Sequence, residues 1–233
     1  TSVTPTPTTA TTPTTPVTPI TNTGTSGNDS VNGDAGNDTL TLYDLTGDGT
    51  VDAADFVRIS GGGGLDTLAL GAGAGKLDLS GLGAGTVGGI SAVTLSGNGN
   101  GNLTLDAGSL TAMNCPTLTV RGDAGDTFTL QGNWTYNGHS GGFYTYTDAS
   151  GKTVKAQDTM LRAFAGADGV GDTFTLHDVS GDGTVNGADF ASIFGGTGTD
   201  MLKLATAGLT LDLTGTTAAK ISGIEIVDLT TSA

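Results

Sequence analysis

The chain has 233 residues, with 23 acidic against 8 basic side chains and a formal charge of −15. So few scattered cations exclude a phosphate-binding surface, and with it nucleic acid as a partner, because such surfaces need clustered Lys and Arg. Glu225 is the only glutamate and the chain holds 41 glycines, which argues against Glu–Lys helical faces and for short strands joined by tight turns.

Residues 1–23 are Thr and Pro with a few small residues and can bury no core. The prolines favour an extended, polyproline-like chain. It is either a semi-rigid linker or an arm that adds a strand to an open edge of a neighbouring subunit, with Val17 and Ile20 as anchors. Residues 24–41 then hold two tandem nonapeptides, G-x-x-G-N-D-x-(apolar)-x, with Asp29 and Asp38 in the acidic position and Val31 and Leu40 pointing inward. Complete matches to G-G-x-G-x-D-x-U-x, the calcium-binding β-roll pattern, follow at Gly61–Ala69 and Gly195–Lys203, which adds Asp66 and Asp200 as candidate ligands. The alternative for each is an aspartate that caps a glycine turn.

From Asp44 the chain reads D-L-T-G-D-G-T-V-D-A-A-D-F. Asp44, Thr46, Asp48, the Thr50 carbonyl, Asp52 and Asp55 take positions 1, 3, 5, 7, 9 and 12 of a calcium loop, with Gly49 at the sharp turn. A hard cation wants six to eight oxygens, and this spacing makes them converge. The A-A-D-F-V-R-I that follows is expected to start a short helix. Asp178, Ser180, Asp182, Thr184, Asn186 and Asp189 repeat the set. Residues 39–96 in fact align without a gap on residues 173–230, about half of the pairs being identical. Such a repeat implies one structural unit used twice.

Between the copies, T-L-T-L, T-L-T-V and T-F-T-L alternate with period two, which predicts strands with one buried face. Trp134, Tyr136, Phe143, Tyr144 and Tyr146 flank N-G-H-S-G-G, a hairpin signal. Trp134, Tyr136 and Tyr144 are candidates for a sugar-stacking platform; packing of the hairpin on the strand stack is the alternative. Lys155–Phe164 has the composition of a short helix. The two histidines, His139 and His177, lie in no recognised catalytic or zinc motif, so no enzyme is expected. Cys115 reads as a small buried apolar residue. No apolar run is long enough to cross a membrane.

The nonapeptides resemble those of the RTX family, secreted calcium-binding proteins of Gram-negative bacteria. Leu209–Leu229 and Thr117–Trp134 are similar to segments of large RTX adhesins and surface-layer proteins. The resemblance covers about residues 24 to 233 and implies several bound Ca2+ ions, type I secretion and an extracellular or cell-surface location. The loops at Asp44 and Asp178 also resemble those of dockerins, although with Asp at position 12 and with the two loops far apart in sequence. The expected fold is an all-β parallel solenoid or β-roll with two loop–helix inserts, divided into an arm (1–23), a first unit (24–96), a connecting segment (97–172) and a second unit (173–233). The expected function is a calcium-dependent structural protein that self-assembles through its solenoid ends and arm. The alternatives are a module binding cell-surface polysaccharide or protein, and a non-catalytic portion of a secreted RTX hydrolase.

Overall fold

A computed structural model describes residues 20–21 and 30–230, apart from 96, 98, 107, 168 and 218. Its architecture is a solenoid of short stacked strands, nearly all paired in parallel. After β1 (Ile20–Thr21), the first turn comprises β2 (Ser30–Asn32), β3 (Thr39–Leu42) and β4 (Thr50–Val51). The second comprises β5 (Arg58–Ser60), β6 (Asp66–Leu70) and β7 (Lys76–Asp78), and the third β8 (Val87–Gly88), β9 (Ile90–Thr94) and β10 (Asn102–Asp106). A four-residue helix, α1 (Ser109–Ala112), leads into turns with two strands each, β11 (Thr117–Arg121) with β12 (Thr127–Gln131). The hairpin β13 (Trp134–Ser140) and β14 (Phe143–Asp148) then precedes β15 (Thr153–Gln157) and β16 (Leu161–Ala165). The second copy follows as β17 (Thr173–Leu176), β18 (Thr184–Val185), β19 (Ser192–Phe194), β20 (Met201–Leu204), β21 (Thr210–Leu211), β22 (Ile221–Ser222) and β23 (Ile226–Asp228). This is the parallel β-solenoid that the alternating sequence predicts. One seven-stranded sheet, β22-β19-β16-β12-β10-β7-β4, gives a strand to every turn.

The alternation of Thr with Leu, Val or Phe explains the stack. Each strand turns its apolar residue inward, and successive turns place like on like. Leu40 stands over Leu68, Leu68 over Val93, and Val93 over Val120. One contiguous core runs from Val31 to Leu204. Each fully buried Leu or Val contributes roughly 1.5–3 kcal/mol, so the stack as a whole, rather than any single turn, carries the fold.

The nonapeptides do not set the length of a turn. Asp38 meets Asp66, and Asp172 meets Asp200, each at a separation of 28 residues. These turns therefore use the glycine–aspartate motif once each, at one corner, and in the third turn Ile90 stands where Asp66 does in the second. Glycine is required there. A Cβ on Gly33 would lie 2.1 Å from the Gly61 carbonyl oxygen, and one on Gly61 would lie 2.3 Å from that of Gly89.

Three expectations are corrected. The segment after Asp55 is a turn leading into β5, where Ile59 lies between Val31 and Val87; parallel pairing on both sides overrides the helix preference of Ala53 and Ala54. The turn after Asp189 likewise enters β19 rather than a helix. Lys155–Phe164 spans β15 and β16, not a helix. The arm's anchor Ile20 pairs in parallel with Leu40 of the same chain; Val17 lies outside the described residues.

Candidate metal-binding loops

The first loop leaves β3 and closes on itself through its own carboxylates. Asp44 Oδ1 accepts from the Gly47 amide (2.6 Å) and the Thr46 hydroxyl (3.0 Å), and Oδ2 from the Gly49 amide (2.7 Å). At the other end, Asp55 is fully buried. It accepts from the Leu45 and Thr46 amides on Oδ1 and from the Asp52 amide on Oδ2. Asp48 caps the Thr50 amide, and Asp52 caps that of Ala54. Gly47 and Gly49 take φ of 80° and 89°, a left-handed conformation that glycine alone adopts without strain.

The second loop repeats this arrangement bond for bond. Asp178 accepts from Gly181, Ser180 and Gly183; Asp189 from Val179, Ser180 and Asn186; Asp182 from Thr184; and Asn186 from Ala188. The Gly49 amide is the largest influence on the Asp44 carboxyl, and with the Gly47 amide, the Thr46 hydroxyl and the Asp48 amide it outweighs the opposing effect of burial and holds the group below its usual range. At Asp178 burial is the largest single influence and raises the value, but the Gly183 and Gly181 amides and the Ser180 hydroxyl together outweigh it. Both groups are anions at neutral pH.

Among the described residues, no three His, Cys, Asp or Glu side chains converge on a common point. The loops instead offer single carboxylates together with Thr46 or Ser180 hydroxyls and a position-7 carbonyl at Thr50 or Thr184. That all-oxygen, anionic donor set fits a hard cation and suits no soft one.

The corner aspartates form a separate set. Asp38, Asp66 and Asp200 are buried and stitch turn to turn. Asp66 Oδ1 accepts from the Asp38 amide, Asp200 Oδ1 from the Asp172 amide, and the lone glutamate, Glu225, from the Asp200 amide. Asp38 also caps its own turn through the Asp34 amide. Turn capping is thus present in the geometry. Asp66 Oδ2 and Asp200 Oδ2 nevertheless lie buried without a hydrogen-bond partner, and burial pushes the Asp66 carboxyl up, as do the Asp38 and Asp34 charges to a lesser degree. A cation between turns would satisfy such oxygens. Asp29 lies outside the described residues.

The aromatic hairpin is not an open platform. Trp134 and Tyr144 are buried, and the Trp134 indole donates to the Gln131 carbonyl; Tyr136 and Phe143 are half-exposed, the Tyr136 ring centroid lying 3.7 Å from that of His177. The rings pack because β14 continues the sheet antiparallel to β15 and turns alternate residues onto the core.

Sequence reasoning missed the residue that joins this cluster to the second loop. Arg162 stands over Phe128 in an otherwise apolar column and is 1 % exposed. Its guanidinium lies 4.1 Å from the Tyr144 ring and donates to the Asp189 carbonyl at 3.1 Å. His177 accepts from or donates to the Tyr146 hydroxyl at 3.2 Å. Burial first, then Arg162 and His139, push its pKa down to about 2, so it is neutral. Lys220 donates to the Gly187 and Phe190 carbonyls. The exit of the second loop is therefore held by two cations; in the first copy the counterpart of Lys220 is Thr86. Read as a helix, Arg162 would point to solvent; only strand alternation through Phe128 reveals it.

A groove of about 610 Å³ runs past Gly62, Gly89, Cys115 and Arg121. The Cys115 thiol is buried and donates to the Thr117 carbonyl. His139 and Asp158 pair at 3.0 Å on the exposed hairpin. No helix among the described residues is long and apolar enough to cross a membrane. No family model matches the chain, and neither the curated proteins nor the solved structures contain a match.

Proposed function

We propose that this chain is a calcium-dependent extracellular structural protein that self-assembles, as a scaffold segment of surface-layer, filament or adhesin type. One observation carries the calcium role: two distant loops share one ligand spacing and one hydrogen-bond closure, in which the Gly49 and Gly183 amides donate to the Asp44 and Asp178 carboxylates. A cap needed only for a turn would not require six oxygen-bearing positions to recur together. The unpartnered oxygens of Asp66 and Asp200 add support at the corners. The charge of −15 opposes compaction until cations offset it, which couples binding to folding. Secretion and surface location rest on the RTX resemblance.

The test is isothermal calcium titration of the full chain, with far-UV circular dichroism before and after chelation. Asp44→Ala and Asp178→Ala should each remove one loop-type binding event, and chelation should reduce β-structure reversibly. Calcium heats that are absent, or unchanged in both variants, sink the loop assignment.

A further inference from the structure

The two loops share a ligand pattern but not a charge environment. The first carries four carboxylates, Asp44, Asp48, Asp52 and Asp55; the second carries three, because Asn186 stands at the place of Asp52. Closing either loop brings like charges together, at a cost that grows with their number. The hydrogen bonds inside the two loops are matched and do not offset this difference.

The surroundings widen it. Arg162, 1 % exposed, donates to the Asp189 carbonyl at 3.1 Å. Lys220 donates to the Phe190 carbonyl at 3.0 Å and to the Gly187 carbonyl. Arg162 lies in β16 and Lys220 just before β22, the two strands that flank β19. The exit of the second loop is thus gripped from the turn before it and from the turn after it. Both cations are themselves seated on rings, Arg162 at 4.1 Å from that of Tyr144 and Lys220 at 5.4 Å from that of Phe190. Hydrogen bonds from charged donors are about twice as strong as neutral ones.

The first copy lacks the means to repeat this. The chain has no Lys or Arg before Arg58, and Thr86 stands at the position of Lys220. Arg58 and Lys76, the cations of the first copy, are exposed. Among the described residues, no cation sits on the carbonyls of Ala53, Asp55 and Phe56, which match those of Gly187, Asp189 and Phe190.

We propose that only the first loop is a calcium switch. It closes when the ion arrives, while Arg162 and Lys220 hold the second loop closed with or without one. The proposal rests on the calcium reading above and deepens it, dividing two like sites into a responsive one and a standing one. Arg162 and Lys220 are positioning residues, acting through the loop backbone. A segment with fewer fixed contacts opens at lower free energy, so chelation should open the first loop and spare the second.

Hydrogen exchange of the full chain, read by mass spectrometry in chelator and then in millimolar calcium chloride, tests this. In chelator, after correction for intrinsic rates, amides of residues 45–56 should exchange at least ~10-fold faster than those of residues 179–190. Calcium should slow the first set by at least ~10-fold and change the second by less than ~2-fold. Lys220→Met and Arg162→Met should each make residues 179–190 fast in chelator and calcium-dependent, whereas Lys220→Arg should keep them slow. Slow amides in β9 show that a variant is folded; if both methionine variants unfold, the wild-type comparison and Lys220→Arg decide. Equal exchange of the two loops in chelator overturns the proposal, as does a calcium effect of the same size at both. A calcium effect at neither loop sinks the calcium role, and the unequal exchange in chelator then still supports the standing second loop.

Discussion

Leu95 and Leu229 occupy one position of the repeat, and truncating each to alanine measures how the turns are covered. Leu95→Ala removes three carbons from a residue with no exposed surface. At ~0.8 kcal/mol per buried methylene the transfer loss is about 2.4 kcal/mol. The cavity left between β9 and the turn above raises the total to about 2.5–5 kcal/mol. Leu229 is 61 % exposed, so roughly two-fifths of the transfer loss applies, about 1 kcal/mol, and no sealed cavity forms. The two costs should differ by at least ~1.5 kcal/mol. Urea unfolding in fixed millimolar calcium, followed by far-UV circular dichroism and Trp134 fluorescence, gives both values, provided that the slope with denaturant is unchanged. The chain is kept dilute enough to be monomeric. Equal costs would refute the reasoning, because the end turn would then be as well covered as the interior one.

Three other outcomes follow from particular contacts. A Cβ on Gly71 would lie 2.5 Å from the Tyr43 ring, and the second copy pairs Ala205 with the smaller His177; Gly71→Ala should cost ~1–3 kcal/mol, and Tyr43→His should recover most of it in a double-mutant cycle read by urea unfolding. Arg162→Met removes a buried cation held by a ring and a carbonyl, so global stability should change by less than ~1 kcal/mol. Calcium affinity of the second loop, isolated in an Asp44→Ala background and measured by titration calorimetry, should nevertheless fall; an equal loss at the first loop, isolated with Asp178→Ala, would count against that link. Burial acts to raise the Asp106 carboxyl, but the Ser109 hydroxyl and the Gly81, Ser109 and Gly108 amides hold it below its usual value. A depressed acid stabilises the fold above its unfolded pKa and loses that effect as pH falls through the folded value. Asp106→Asn should therefore flatten the fall in urea midpoint below about pH 4, and an unchanged acid limb would reject the assignment.

The strands, the hairpin and the twin loops were legible because each depends on local chemistry: alternation in T-L-T-L, the turn signal at Asn137–Gly142, and carboxylates at fixed loop positions. The length of a turn was not. The corner motif occurs once per 28 residues, while the tandem match at residues 24–41 suggests nine, because a glycine–aspartate turn looks the same whatever it is stacked on. What fixes the spacing is the approach of Gly33 to Gly61 and of Gly61 to Gly89, a contact between turns that no local window contains. Arg162 was hidden for the same reason, since its inward direction is set by Phe128, which lies 34 residues earlier in the chain.

The relation between the two copies also lay beyond the alignment. By repeat position, β19 and β22 correspond to β5 and β8, yet they join the long sheet that the first copy enters through β4 and β7. The second copy is therefore attached by a different strand, and its loop emerges at a different corner. The connecting segment produces this change, because its turns carry two strands where those of the copies carry three. Losing one strand per turn shifts which strand next meets the common sheet, while the ungapped register of the repeat is untouched. Two equivalent loops are thus presented around the stack rather than in line along one side. A cation bound at one loop cannot then be shared with the other, and each loop must be closed by its own carboxylates, as Asp55 and Asp189 do.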